Sequence, residues 1–420
     1  MRPPILKRLV RRLAATAVLG LLAATLSVTT AQPAAAAAGL QQVTGFGSNP
    51  GNLQMYAYTP AGLPANAPLV VALHGCTQTA DAYYTNSGWP EYADEWGFAV
   101  VFPQTTSANN ALSCFGWFDP NEDTRGKGEA ASIVQMVDYA KQTYGSDADR
   151  VYVTGLSAGG GMTADLLAAY PDVFAGGSVA SGLPAQCATS QTAASTCQYG
   201  PQSLTPAQWG DKVRSAYPGY SGPWPRVAIW QGTSDYTVYP ANATALRDQW
   251  TNVWGISQTP SATDSLPGST TRTVYNDASG QPAVEMYSVS GMGHGLPVSP
   301  GSGDRQCGST AAYFLNTICS TYYTGVFWGL DDGTEPGDPG DPGDPGDPGD
   351  PGDPGDPDPA QCYTATNYAH VMAGRAHMSG GYVYANGSDE NMGLYNVFVS
   401  HTLKETPAGY FVIADSGCTT

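Results

Sequence analysis

Charge is what this sequence has least of. Asp, Glu, Lys and Arg make up 12% of its 420 residues, and only 17 are basic against 35 acidic, for a formal net charge of −18. Nucleic acid and anionic membranes need a partner of the opposite sign, so neither is expected here. Beyond residue 28 no apolar run is long enough to span a bilayer. Cys-x-x-Cys pairs and histidines at metal-ligand spacing are lacking too, so no metal or cofactor is expected. Glycine (51) and proline (33) are plentiful, the mark of a loop-rich chain with a neutral surface. The hydrophobic fraction of 42% is enough for a large core, and the length suggests two or three domains.

The few basic residues crowd at the start. Arg2, Lys7, Arg8, Arg11 and Arg12 precede an uncharged run over 13–28 and then small residues suited to cleavage near Ala36 and Ala38. That order reads as a signal peptide over 1–38, removed on secretion. A membrane anchor is the alternative, disfavoured by the Ala- and Thr-rich run and the cleavage-like tract. Arg11-Arg12 hints weakly at twin-arginine export. All eight cysteines follow the leader, and an even number in a secreted chain reads as disulfides. The expected pairs are Cys76–Cys114, Cys187–Cys197, Cys307–Cys319 and Cys362–Cys418. The last two cysteines stand alone beyond a linker, and closing that loop contributes about 4 kcal/mol in the chain-entropy model.

That linker spans 331–359. From 336 to 357 it repeats Pro-Gly-Asp with no apolar side chain, a composition that stays extended and solvated. Its upper reach is about 90 Å at ~3.1 Å per residue. A collagen-like triple helix fits the period but not an Asp in every triplet. The expected domains are therefore 39–330 and 360–420. In the first, short apolar runs at 69–73, 98–102, 151–154 and 227–231 read as buried parallel strands. Between them, 129–144 carries Ile133, Met136, Val137 and Ala140 at helical spacing before Gly145, and 240–255 carries Leu246, Trp250, Val253 and Trp254. Alternating strands and helices predict a mostly parallel, doubly wound α/β sheet.

Within that pattern Gly155-Leu156-Ser157-Ala158-Gly159 is a G-x-S-x-G motif between a strand (150–154) and a helix (162–170). This is where an α/β-hydrolase places its nucleophile elbow. An ordinary glycine-rich turn with a capping serine is the plainer alternative. A serine hydroxyl needs a base, and the base an orienting carboxylate, in the chain order Ser, Asp or Glu, His. Of the histidines after Ser157, His370, His377 and His401 lie past the linker, which leaves His294, in a loop after the alternating stretch 284–289. Asp235 follows the strand 227–231 directly. Asp211, Asp248, Asp264 and Asp277 fall in helix-like or loop stretches with no strand before them. For the oxyanion, the backbone N–H of Ala158 and that of Cys76 or Thr77, in the loop after 69–73, are the candidate donors. His74 reads as a brace for that loop, and Cys76 as a disulfide partner rather than a thiol nucleophile. Tyr83, Tyr84, Trp89, Phe115, Trp117 and Tyr236 lie near the candidate cleft loops. Trp117, Tyr236 and Trp89 are the candidate substrate contacts, Trp117 foremost because Cys114 would tether its loop. Asp123, Arg125 and Glu129 read as a charge cluster at a helix start.

Taken together these segments resemble the extracellular poly(3-hydroxybutyrate) depolymerases and their esterase relatives. The resemblance is carried by Leu73-His74-Gly75-Cys76, Cys114-Phe115-Gly116-Trp117-Phe118, Gly128-Glu129-Ala130-Ala131-Ser132-Ile133, Gly155–Gly159, Gln231–Asp235 and Gly293-His294-Gly295-Leu296-Pro297-Val298, which cover nearly all of 40–330. The family has two architectures, and this chain matches the one whose oxyanion loop precedes the serine motif. Asn367-Tyr368-Ala369-His370, Ala373-Gly374-Arg375-Ala376 and 385–394 resemble the family's substrate-binding domain. Alternation at 381–384, 395–400 and 410–413 predicts a small β domain there. The Pro-Gly-Asp linker departs from the Thr-rich or β-module linkers of the family.

The resemblance implies a secreted serine esterase that acts, as a monomer, on an insoluble polyester through an acyl-enzyme. A feruloyl or acetylxylan esterase acting on cell-wall polysaccharide esters is the main alternative. A binding protein without catalysis is the third, disfavoured by the intact Ser–Asp–His order.

Overall fold

The computed structural model describes residues 39–200, 202–331, 362–372, 375–379, 382–394, 399–405 and 410–415. The expected leader, and the linker beyond Asp331, lie outside these residues. Two compact units divide the chain, with 39–331 in the first and 362–415 in the second.

The apolar runs of the first unit become central strands buried on both faces, flanked at the edges by more polar and more exposed strands. They are β1 (Gln41–Val43), β2 (Gln54–Tyr58), β3 (Leu69–Leu73), β4 (Ala99–Gln104), β5 (Val151–Leu156), β6 (Gly176–Ala180), β7 (Arg226–Gly232), β8 (Ala262–Leu266), β9 (Thr270–Asn276) and β10 (Pro282–Val289). They form one sheet in the order β1-β2-β4-β3-β5-β6-β7-β10-β9-β8. From β4 to β10 every pairing is parallel, and β1, β2, β9 and β8 extend the two edges antiparallel. Successive residues of a strand face opposite sides, and β3 displays this cleanly. Leu69, Val71 and Leu73 enter one apolar cluster, while Val70 and Ala72 enter another.

Helices cover both faces. On the first lie α3 (Gly128–Tyr144), α4 (Ala158–Ala169), α6 (Pro206–Ala216) and α7 (Ala241–Trp254), with α5 (Gln191–Tyr199) beside them; on the second lie α1 (Ala80–Asn86), α2 (Trp89–Trp96) and α8 (Ser320–Trp328). In α3 the buried stripe is Ile133, Met136, Val137 and Ala140, and Gly145 ends the helix at φ 68°, where a Cβ would be strained. This is the three-layer α/β-hydrolase architecture that the strand–helix alternation predicts.

Chain direction fixes where chemistry can occur. After β3 the chain runs outward to β4, then crosses back to β5 on the other side of β3. Above the carboxyl ends of β3 and β5 the connections diverge, which opens a crevice at a topological switch point. Ser157 follows β5 and His74 follows β3, so both stand at that crevice.

Two sequence expectations need correction here. Asp264 lies within β8, and Asp277 directly follows β9. Neither competes with Asp235: Asp264 pairs with Arg272 on an outer strand, and β9, antiparallel to β10, delivers Asp277 to the opposite end of the strands. There Asp277 closes its own turn, accepting the amides of Ser279 and Gln281.

Three of the expected disulfides are present: Cys76–Cys114, Cys187–Cys197 and Cys307–Cys319. Cys362 is also disulfide-bonded; its expected partner Cys418 lies outside the described residues.

In the first unit, β11 (Leu296–Val298) and β12 (Phe314–Asn316) pair in parallel outside the main sheet. Among the described residues, the second unit holds two three-stranded antiparallel sheets. One comprises β13 (Cys362–Thr366), β17 (Ser400–Glu405) and β18 (Phe411–Ile413), and the other β14 (Ala376–Ser379), β15 (Tyr382–Ala385) and β16 (Asn391–Leu394). Among the described residues a helix, Asn367–Met372, accompanies the strands of the expected small β domain. Of the strand expected over 395–400, residues 395–398 lie outside the described residues, and Ser400 begins β17. The core is small: Ala376, Val383, Ala385, Met392, Leu403 and Phe411.

Candidate active site

The motif serine sits in a strained turn. Ser157 has φ 58° and ψ −117° and joins β5 directly to α4, whose first residue is Ala158. A non-glycine residue in this region costs on the order of 1–3 kcal/mol, and such strain clusters at functional sites. The turn closes so tightly that a Cβ on Gly159 would lie 2.5 Å from the carbonyl oxygens of Leu73 and His74, and one on Gly155 would strike Gly159. Both glycines of the motif are therefore steric requirements. The Ser157 N–H donates to Ala180 O at 2.9 Å, and its hydroxyl makes no capping bond to α4. The plainer reading of a capping serine is thus not what the structure holds.

Beside the turn, the loop after β3 is built around a buried imidazole. His74 Nδ1 lies 2.7 Å from Gly75 O, and its Nε2 accepts the Thr105 N–H at 3.2 Å. The proton therefore sits on Nδ1, and burial lowers the imidazole to about 4, so the ring is neutral. In a trans peptide the C=O and the following N–H point in opposite directions. Holding Gly75 O toward His74 thus turns the Cys76 N–H the other way. Of the neighbouring amides, Gly75 N–H is taken by Gln78 Oε1 and Thr77 N–H by Leu112 O. Cys76 is the donor left on this loop, beside the first amide of α4, and Cys76, Ser157 and Ala158 line one cleft of about 640 Å³.

On the other side, β7 and β10 deliver an acid and a base. Asp235 follows β7 and is buried; its Oδ2 lies 2.8 Å from His294 Nδ1 and also accepts Gln231 Nε2 at 3.1 Å. Its Oδ1 accepts the amides of Thr237 and Val238, each at 2.9 Å. One carboxylate thus both closes its own turn and holds the imidazole. Burial works to raise this carboxyl, but His294 and the Val238 and Thr237 amides outweigh it and hold it below its ordinary range. The loops interlock: Ser234 N–H donates to Met292 O, Gly291 N–H to Thr233 Oγ1, and Gly232 has no room for a Cβ against the Met292 carbonyl. With Nδ1–H committed to Asp235, Nε2 of His294 is the nitrogen available as a base.

No motif marks the residue that connects the two sides. Ser181, fully buried at φ 43°, follows Ala180, whose carbonyl holds Ser157. Its Oγ donates to Gly295 O at 3.1 Å and lies 3.4 Å from Gly295 N, on the residue next to His294. Glu129 is also more than a helix start. Its Oε2 accepts the Gly116 N–H at 2.7 Å, it lines the cleft, and burial pushes it up to about 8.

The candidate substrate contacts divide. Trp117 lines the cleft and packs on Gly161. Tyr236, next to Asp235, is 78% exposed. Trp89 is a correction: it is buried, stacks on Trp328 with ring centroids 5.5 Å apart, and belongs to the core on the far face. In the second unit the histidines have separate partners, His370 with His401 O and His401 with Asp415, and no metal-binding cluster occurs among the described residues.

Comparison with known proteins agrees with this geometry. Residues 53–274 match the family profile described as Esterase PHB depolymerase. The chain is 54% identical over 292 residues to poly(3-hydroxyalkanoate) depolymerase C of Paucimonas lemoignei, covering 69% of this chain and 70% of that one. It is 40% identical over 269 residues to feruloyl esterase B of Neurospora crassa, covering 62% of this chain and 90% of that one. Among solved structures, the acetyl xylan esterase from Aspergillus awamori superposes with a TM-score of 0.57 at 35% identity, over 61% of this chain and 94% of that one. An α/β-hydrolase sheet, a G-x-S-x-G elbow at its switch point and these relatives together establish that the chain belongs to the PHB depolymerase family of carboxylic-ester hydrolases.

Proposed function

We propose that this chain is an exported serine esterase that cleaves the ester bonds of poly(3-hydroxybutyrate)-type polyesters. Ser157 attacks the ester carbonyl while His294 Nε2 takes the hydroxyl proton, and Asp235 stabilises the imidazolium. The Ala158 and Cys76 amides receive the oxyanion. The tetrahedral adduct collapses, His294 gives its proton to the departing alkoxide, and the acyl group stays on Ser157. Water, deprotonated by His294, then releases the acid and restores the hydroxyl.

The observation that carries the reading is the buried 2.8 Å Asp235–His294 bond on the same sheet edge as the Ser157 elbow. The polyester is favoured by the surroundings. Large apolar side chains are exposed around the cleft: Leu112 on its wall, Tyr236 beside Asp235, Tyr199 paired with Tyr239, and Tyr313 beside His294. Such a rim suits a solid apolar surface better than a hydrated polysaccharide. The second unit supports an adsorption role for 360–420. On β14–β16, Tyr382 faces Leu394 and Tyr384 faces His377 across adjacent strands, with Tyr382 and Leu394 exposed. A tethered adsorbing domain raises the local concentration of catalytic clefts on the polymer.

Clearing of a poly(3-hydroxybutyrate) suspension, run beside ferulate release from methyl ferulate, tests the reading. Clearing is expected, with Ser157→Ala inactive, and a chain ending at residue 331 is expected to clear slowly but to hydrolyse soluble esters normally. Rapid ferulate release without clearing would favour the cell-wall reading suggested by the feruloyl and acetylxylan relatives.

A further inference from the structure

Tyr313 occupies a position its residue type should avoid. It lies in the tight turn from Ala311 to Phe314, which is closed by hydrogen bonds in both directions between those two residues, and its φ is 66°. A bulky residue at positive φ is a genuine outlier, and turns that require it favour glycine or asparagine. The side chain gains little burial in exchange, since it is 45% exposed. Its ring lies edge-on to His294 at 6.0 Å between centroids.

The backbone of the turn is fastened on both sides of the site. Tyr313 O accepts the Leu296 N–H at 2.8 Å, and a Cβ on Gly295 would meet the same oxygen at 2.8 Å. Ala312 O accepts Gln78 Nε2, and the same Gln78 holds the amide of Gly75 in the oxyanion loop. The strained residue is therefore held in register with the base and with the oxyanion loop, while its ring points to no core.

Reaction geometry says what such a ring meets. The leaving alcohol must depart beside the imidazole that protonates it. The 640 Å³ cleft, lined by Cys76, Leu112, Trp117 and Leu183, includes neither His294 nor Tyr313, so it serves the acyl portion of the substrate. We infer that Tyr313 forms the wall of the leaving-group subsite, packing its ring against the aliphatic chain of an alcohol that is itself a hydroxyalkanoate ester. The inference rests on the roles proposed for Ser157 and His294, and it adds a specificity residue to them.

The test compares wild type, Tyr313→Ala, Tyr313→Phe and Tyr313→Gly on three esters of one acid: methyl butyrate, butyl butyrate and the butyrate ester of 3-hydroxybutyrate. All pass through the same butyryl-enzyme, so a leaving-group contact acts on acylation alone. Tyr313→Ala should lower kcat/KM about tenfold or more on the two larger alcohols and less than threefold on the methyl ester, with breakdown of the butyryl-enzyme following the wild-type rate. Tyr313→Phe should restore the discrimination. Tyr313→Gly should match Tyr313→Ala in kinetics with a Tm no lower than wild type, because glycine relieves the turn. An equal loss on all three esters, a loss in deacylation, or a lower Tm for the glycine variant would overturn the assignment. Ser157→Ala, measured in parallel, separates the failures: if it stays active the catalytic roles fall and Tyr313 with them, and if it is dead a uniform Tyr313→Ala effect rejects this subsite alone.

Discussion

Two loops reach the Ser157 turn from opposite sides of β5, and they are secured by different chemistry. The loop after β3 is stapled by Cys76–Cys114 and braced from inside by the buried His74 ring. The loop carrying His294 has no covalent tie; it is held by Asp235, by a mesh of backbone bonds to the β7 loop, and by Ser181. The first needs to fix only one amide, so constraining the backbone suffices. The second must aim a side chain and set which of its nitrogens carries the proton, and only a directional acceptor can do that.

That contrast is broken most severely at Asp235. In Asp235→Asn the Thr237 and Val238 amides still require an oxygen, so the new NH2 must take the place of Oδ2. It then faces His294 Nδ1 and the Gln231 amide group, donor against donor. His294 is forced to carry its proton on Nε2, where it can no longer accept from Ser157. We expect kcat on p-nitrophenyl butyrate to fall about 10⁴-fold, with Tm little changed. A loss under tenfold would show that the carboxylate does not set the tautomer.

On the opposite loop the corresponding change is His74→Phe. It removes the donor that orients the Gly75–Cys76 peptide, and a misplaced oxyanion donor costs about 10²-fold in kcat. The same variant carries a pH signature. The folded His74 binds a proton only near pH 4, whereas an unfolded histidine binds one near its ordinary value of 6.5. Between those values the unfolded state holds more protons, so stability falls as pH drops through the window, by on the order of 3 kcal/mol. Glu129 acts in the other direction: its raised carboxyl favours the folded state at low pH and loses that advantage as pH climbs from the ordinary carboxylate range toward 8. Comparing the urea stability of wild type and His74→Phe from pH 4 to 6.5 isolates the histidine. The variant should lack the component that rises with pH, and parallel curves would mean that His74 does not stay neutral in the folded protein.

The same contrast marks what could be read from sequence. Ser157 and Asp235 stand out because each follows a short apolar run, His294 because it follows an alternating stretch, and the three come in the prescribed chain order. Cys76 announced its loop because cysteine spacing is countable. What stayed hidden depends on three-dimensional approach. Trp89 is near a cleft loop along the chain, but its place at the start of α2 turns it into the far core. The hairpin that places Asp277 at the wrong end of the strands is built of polar alternating residues, Ala262–Leu266 and Thr270–Asn276, with little apolar signal. Ser181 and Tyr313 belong to no motif, and only their positive φ angles and their partners single them out.

Ser181 offers the finest probe of the comparison, because it is one strut among several in the uncrosslinked loop. Ser181→Ala removes the hydroxyl that engages Gly295 and leaves the rest of the mesh intact. About a tenfold fall in kcat with KM unchanged is expected, since a shift of a few tenths of an ångström in the base matters most in the transition state. Ser181→Gly loses the same bond but relieves φ 43°, so it should equal the alanine variant in kcat and exceed it in stability by about 1 kcal/mol. If both variants keep wild-type kcat, the Asp235 bond and the β7 mesh alone align His294, and the hydrogen-bonded loop is as rigid as the crosslinked one.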